Sequence, residues 1–215
     1  AGYLPVTIEF LDQAVLRALA KVSAVPWPEG TNSVLLFKVD GSKVNVDNDI
    51  EGLSEVLKHA GPSFIKTGTG AEEENLWEIR RLINPASFQL APDKLAQDIT
   101  VPRGQVARVI EKIHEIGREM DLPVLTFGHL GDGNIHTNVM YSAKDKQEQE
   151  SAKKAMSLIL DEVLARRGTI SGEHGIGLLK LAYLDKQLGG RERQLMRELK
   201  SVFDPLNIMN PGKAF

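Results

Sequence analysis

The sequence predicts a single α+β domain in which an antiparallel sheet carries helices on one face. Hydrophobic periodicity switches several times between about 2 residues, typical of strands, and about 3.6 residues, typical of helices. Strands alternate with helices as β-α-β units, and this order favours a duplicated ferredoxin-like arrangement opened into one larger sheet. A length of 215 residues with 42% hydrophobic content is sufficient for one sizeable core.

The first half of the chain predicts mixed helices and strands. Its apolar spacing predicts, in order, a helix over 11–22, a strand over 34–39, a helix over 50–60, a strand over 63–66 and a helix over 72–83. Three glutamates at 72–74 begin the last of these helices, where acidic side chains interact favourably with the helix dipole. The proline-containing segment 25–30 is interpreted as a loop within the domain.

The second half contains a predicted hairpin between two long helices. The predicted elements are a strand over 96–101, a helix over 104–120, strands over 122–127 and 135–140, a helix over 146–167 and a strand over 169–171. Pro102 precedes the first helix and Gly168 follows the second, as these residue types commonly do. The Asp-Gly pair within 131–134 is a turn signal that joins the two hairpin strands.

Composition excludes several classes of function. A net charge of -3 and dispersed basic residues give no electrostatic basis for nucleic-acid binding. The chain has no cysteine, which excludes disulfides, iron–sulfur ligation by cysteine and thiol catalysis. No apolar run approaches the roughly 20 residues of a membrane span. We therefore expect no membrane span and a cytoplasmic location.

Two glycine-flanked segments, 128–136 and 172–177, contain three of the five histidines. His129 and His136 flank the predicted turn on adjacent strands, close enough for both imidazoles to reach one ion. Glu173 could complete a set of two histidines and one carboxylate with open positions for substrate. The alternative interpretation is hydrogen-bonded histidines at strand ends, and spacing alone does not decide between the two.

Segments 128–136, 172–177 and 203–213, in this order, resemble the C-terminal region of FAD-linked oxidases. That family includes the glycolate oxidase flavin subunit, D-lactate dehydrogenases and D-2-hydroxyglutarate dehydrogenase. A weaker match extends back to residues 5–10, so the resemblance covers effectively the whole chain. It implies oxidation of a D-2-hydroxy acid to the 2-oxo acid with FAD as cofactor.

The flavin-binding part of such an enzyme is not recognisable in this sequence. Members of the family hold the FAD pyrophosphate on a glycine-rich loop. The nearest candidate, residues 67–70, is followed by the three glutamates, which would repel a diphosphate. We therefore predict that residues 1–215 form one substrate (cap) domain that acts with an absent N-terminal flavin-binding domain, in cis or in trans.

The resemblance implies a divalent metal, zinc or manganese, on His129, His136 and Glu173. His174 is the predicted base, because an imidazole titrates near neutral pH. An orienting hydrogen bond to the backbone is the alternative role for His174. Asn138 should share a sheet face with His136 and donate to substrate, unless it serves only the strand ladder.

Arg80 matches a family position that implies binding of the substrate carboxylate, with pairing to Glu74 or Glu78 as the alternative. Asn84 and Ala96 stand where the hydroxyglutarate enzyme carries a threonine and a lysine. This difference favours a small acid of the lactate or glycolate type over one with a second carboxylate.

Asn210 and Lys180 are assigned by the resemblance to cofactor binding, and a solvated helix lysine is the alternative for Lys180. Two other functions stay open, a flavin-independent metallohydrolase and a metal-binding domain without turnover. The sequence does not specify the electron acceptor.

Overall fold

The computed structural model describes residues 2–214 and contains five strands, eight α-helices and two short 3-10 helices in that range. The strands are β1 (Thr7–Leu11), β2 (Val34–Lys38), β3 (Asp93–Thr100), β4 (Val124–His129) and β5 (Asn134–Tyr141). The helices are α1 (Gln13–Leu19), α2 (Lys43–His59), α3 (Ala71–Arg81), α4 (Ile83–Ser87), α5 (Val106–Glu119), α6 (Lys146–Ala165), α7 (Leu184–Gln187) and α8 (Gly190–Phe203).

The five strands form one antiparallel sheet in the order β2-β1-β4-β5-β3. Its register places Glu9 opposite His129, and His136 between Phe127 and Asp98. Alternate residues of a strand point to opposite faces, so these five side chains share one face of the sheet. The α+β class and the antiparallel sheet are confirmed.

Helices α5 and α6 cover the other face. Residues on one stripe of α5, spaced by three or four positions, are buried against the sheet, as an amphipathic helix requires: Val106, Val109, Ile113 and Ile116. They meet Ile99, Ile135 and Val139 of the strands in the larger of two hydrophobic clusters. This layer is the predicted layer of helices on one face.

A smaller cluster lies on the face that carries the histidines. Leu125 and Met140 pack there with residues of α1 and α4. Helix α1 begins after Asp12, whose carboxylate caps it by accepting from the Val15 N–H at 2.7 Å. On the same face, the His129 side chain is 33% exposed and the His136 side chain is 13% exposed.

Several element predictions were wrong. Residues 63–66 form no strand, because the short alternation that suggested one also occurs in an extended loop. Residues 169–171 contribute only an isolated bridge between Thr169 and Thr100. Strand β1 was missed, and helices α4, α7 and α8 were not predicted. Helix α8 carries an apolar stripe at helical spacing, Leu195, Leu199, Val202 and Phe203, and that stripe is exposed in this structure.

Within residues 2–214, none of the helices combines the length and the apolar character that crossing a bilayer would require.

Candidate functional site

Three predicted metal ligands lie together over one face of the sheet. His129 ends β4, His136 lies on β5, and Glu173 belongs to the loop after the Thr100–Thr169 bridge. His136 Nε2 is 3.5 Å from His129 Nε2 and 3.4 Å from Glu173 Oε1. His129 Nε2 is 3.6 Å from the same Glu173 oxygen. The ligand atoms form a nearly equilateral triangle, a group that could hold one metal ion.

Gly128 allows His129 to reach this position. Its φ of 150° and a neighbouring backbone both require glycine, because a Cβ there would lie 2.5 Å from the Asn134 carbonyl oxygen. The close approach keeps β4 and β5 tightly paired where they carry the two histidines. The hairpin therefore sets the separation of the two imidazoles.

His136 is mostly buried, and its environment favours the neutral imidazole. Burial, followed by the nearby His129 and Arg80, lowers the pKa of His136 from 6.5 to about 4. A neutral imidazole keeps a lone pair available at neutral pH, which is the form that coordinates a metal.

Asp98, which sequence reasoning missed, holds the loop that carries Glu173 and His174. Its carboxylate is 0% exposed and faces the same side of the sheet as His136. One carboxylate oxygen accepts from the backbone N–H groups of Gly172, Glu173 and His174 at 2.9, 2.5 and 2.8 Å. Charge-assisted bonds of this kind fix the backbone from which Glu173 reaches the two histidines.

Lys180 contacts the other carboxylate oxygen of Asp98. Its ammonium donates to the Asp98 carboxylate at 2.5 Å and to the Asp98 backbone carbonyl at 3.0 Å. Burial by itself raises the pKa of Asp98, but the hydrogen bonds from Lys180, Glu173 and His174 outweigh it and lower that pKa to about 2. Lys180 is thus a buried partner of Asp98, and its predicted cofactor role stays a prediction.

Glu9 is the second carboxylate that sequence reasoning missed. It accepts from His129 Nδ1 at 2.5 Å and from Arg80 Nε at 2.9 Å. Arg80 therefore pairs with Glu9 and not with Glu74 or Glu78, and it lies over the Phe127 ring, 4.9 Å from the centroid. Arg80 is at the site, as its predicted substrate role requires.

His174 and Asn138 both lie close to His136. The His174 ring stacks on that of His136 with centroids 5.5 Å apart, and its side chain is 65% exposed. Its Nδ1 is 3.7 Å from the Asp98 carboxylate. Asn138 is buried on the same face as His136, two residues along β5. Both positions are compatible with contact to a small molecule above the sheet.

Asn210 lies apart from these residues in an exposed turn of the C-terminal segment. That segment returns toward the site loop, since the Ala214 N–H donates to the Gly177 carbonyl at 3.4 Å. Signals for the two missed carboxylates were present in the sequence. Each is a lone acidic residue in an otherwise strand-like run, where a charge needs a partner.

Comparison with known proteins supports the resemblance seen in the motifs. The family model for the C-terminal domain of FAD linked oxidases matches residues 1–214. Glycolate oxidase subunit GlcD of Bacillus subtilis is 36% identical, covering 100% of this chain and 46% of that protein. D-2-hydroxyglutarate dehydrogenase of Stutzerimonas stutzeri is 30% identical, covering 96% of this chain and 46% of that protein. The chain thus spans less than half the length of these relatives.

Solved structures share the fold. p-Cresol methylhydroxylase with substrate bound aligns with a TM-score of 0.69 at 14% identity, over 97% of this chain and 46% of that one. A 4-ethylphenol oxidase from Gulosibacter chungangensis aligns with a TM-score of 0.64 at 14% identity, over 97% of this chain and 47% of that one. On the match of the family model, this chain belongs to the C-terminal domain family of FAD linked oxidases.

Proposed function

We propose that this chain is the substrate-binding and metal-binding domain of a flavin-dependent dehydrogenase or oxidase for a small D-2-hydroxy acid. Its ligands for one divalent ion are His129, His136 and Glu173. FAD is held mainly by a separate flavin-binding domain, in cis or in trans. A cytoplasmic location stays a prediction.

The spacing of the three ligand atoms carries the metal proposal. Two ligand atoms on a tetrahedral zinc, each about 2.0–2.1 Å from the ion, are about 3.3–3.4 Å apart. The separations here are 3.4, 3.5 and 3.6 Å, so the side chains need little movement to share one ion. Two neutral imidazoles and a carboxylate also suit zinc or manganese by ligand type.

In this proposal, Arg80 and Asn138 bind the substrate. The Arg80 guanidinium suits the carboxylate of a 2-hydroxy acid, and the Asn138 amide can donate to it or to the α-hydroxyl. A bound divalent ion would supply Lewis-acid chemistry that lowers the pKa of the hydroxyl. Both residues lie near His136, so they can act on one small molecule.

In this proposal, His174 acts as the base. Its exposed imidazole stacks on His136, beside the three ligand atoms. In the proposed reaction, His174 takes the hydroxyl proton, and a bound FAD would supply the hydride acceptor that oxidation of the α-carbon to the 2-oxo acid requires. The exposed ring leaves room for the substrate between His174 and a flavin-binding domain above the site.

Metal uptake by the chain itself tests the proposal. We expect the chelator-treated protein to take up one Zn²⁺ or Mn²⁺ per chain in calorimetric titration. We expect His136→Ala to weaken that uptake by at least about tenfold, because one of three ligands is lost. His59→Ala is the matched control, since His59 is an exposed histidine on α2.

Equal uptake by wild type and His136→Ala would contradict the ligand set. Hydrolytic turnover by the metal-loaded chain without any redox partner would instead support the metallohydrolase alternative.

A further inference from the structure

We propose that Glu9 is a positioning residue that orients both the metal ligand His129 and the substrate-binding Arg80 through one buried carboxylate. The inference rests on the proposed function for the roles of those two residues. Its geometric basis, three hydrogen bonds to Glu9, is independent of any bound ion.

Each Glu9 oxygen has its own donors. Oε1 accepts from His129 Nδ1 at 2.5 Å and from Thr7 Oγ1 at 3.2 Å. Oε2 accepts from Arg80 Nε at 2.9 Å. The side chain is only 4% exposed and lies directly across the β1–β4 ladder from His129. A carboxylate this deeply buried needs these hydrogen bonds to remain stable, and the same bonds fix the orientation of its partners.

The contact to His129 selects which ring nitrogen faces the site. An ionised carboxylate has no proton to give, so His129 Nδ1 must be the donor in this pair. In the neutral ring, Nε2 then carries the free lone pair, and Nε2 is the atom that points toward His136 and Glu173. Carboxylates that orient metal-binding histidines in this way also increase the basicity of the ligand nitrogen.

The contact to Arg80 selects which part of the guanidinium meets a substrate. Glu9 occupies Nε, and the Phe127 ring packs on the guanidinium carbon at 4.9 Å. Within residues 2–214, the two terminal nitrogens of Arg80 donate no hydrogen bond to another side chain. A substrate carboxylate would therefore bind end-on to that terminal pair. A lysine at this position could not fill both roles, because its ammonium lacks the planar group whose separate nitrogens donate to Glu9 and to a substrate carboxylate.

Substitution of Glu9 by glutamine should disturb both partners at once. The amide is uncharged and has a single acceptor oxygen, so it cannot accept from His129 and Arg80 in the same way. Loss of a carboxylate that hydrogen-bonds to a metal-binding histidine lowers metal affinity by about 10–100-fold. We therefore expect the Glu9→Gln chain to bind Zn²⁺ about 10–100-fold more weakly than wild type by calorimetric titration.

Asp12→Asn is the matched control for the metal measurement. Asp12 is also a buried carboxylate beside a histidine, 2.9 Å from His114 Nε2, but it lies away from the metal ligands. We expect this variant to lose stability without losing Zn²⁺ affinity. Thermal unfolding of both variants would establish that they are folded. Zn²⁺ affinity of Glu9→Gln within twofold of wild type would overturn the inference.

A second measurement is made on metal-free wild-type protein, and a variant is used only to assign the His129 signals. Nitrogen-15 NMR of the histidine rings, with His129 assigned by comparison with His129→Asn, reports which nitrogen is protonated. We expect a proton on Nδ1 of His129 and a slowly exchanging Arg80 Nε–H. An Nε2–H tautomer of His129 would overturn the inference even if metal binds. If wild type takes up no Zn²⁺, the proposed function fails, while the NMR result still decides the role of Glu9.

Discussion

Asp98→Asn is the substitution from which we expect the largest loss of stability at the site. Asparagine keeps the shape of the side chain but removes the charge that faces Lys180 and three backbone N–H groups. The Lys180 ammonium is itself buried, so it would be left as an uncompensated charge. Breaking a buried ion pair in this way costs about 3–5 kcal/mol.

The pKa of Asp98 gives a second magnitude for the same interactions. Its folded value of about 2 lies below the ordinary value of 3.8. The difference corresponds to about 2–3 kcal/mol of stability. Because the folded pKa is the lower one, this contribution is complete above pH 4 and is lost as the pH falls toward 2. Asp98→Asn should therefore lack this part of the acid-induced loss.

Thermal and urea unfolding at pH 7 would measure the effect. For a domain of this size, about 1 kcal/mol shifts Tm by about 2–4 °C, so we expect a decrease of about 6–20 °C. Asp161→Asn is the matched control, because Asp161 pairs with Lys186 at 2.7 Å with both side chains about half exposed. That exposed pair should contribute less than about 1 kcal/mol. A Lys180→Met exchange added to Asp98→Asn should recover part of the loss.

The reasoning would be refuted if Asp98→Asn lost no more stability than Asp161→Asn. It would also be refuted if Asp98→Asn and wild type lost stability in parallel between pH 4 and pH 2.

Two further predictions concern the hairpin and the base. Gly128→Ala should destabilise the chain by about 1–3 kcal/mol and weaken Zn²⁺ binding, because its Cβ would lie 2.5 Å from the Asn134 oxygen. Gly104→Ala, with no atom within 4 Å of the added Cβ, is its control in the same unfolding and titration assays. In the enzyme joined to its flavin domain, His174→Asn should keep the metal and slow flavin reduction by about 10²–10⁴-fold in rapid mixing. A wild-type rate of reduction would exclude His174 as the base.

The central part of the site could be predicted from local sequence. His129 and His136 lie on two strands joined by a short connection, so strand period and turn chemistry were enough to bring them together. Glu173 was proposed from ligand type, and its position at the histidines depends on Asp98, 75 residues earlier. No local pattern contains a hydrogen bond of that sequence separation.

The missed features share this dependence on distant partners. Strand β1 is only five residues long and was predicted in part as the start of a helix. Its identity as a strand comes from pairing with β2 and β4, which a sequence window does not show. Glu9 was missed with it, since its partners Arg80 and His129 are 71 and 120 residues away.

The β1–β4 register also bears on the order in which the protein folds. The β4–β5 hairpin closes over a few residues, whereas Glu9 reaches His129 only after closure of a 120-residue loop. The length-dependent part of that closure costs about 4 kcal/mol of chain entropy. Contacts of such separation form slowly. During refolding, the two histidines can therefore be neighbours on their hairpin well before Glu9 joins them, and the imidazoles would acquire their final orientation in the late, slow phase.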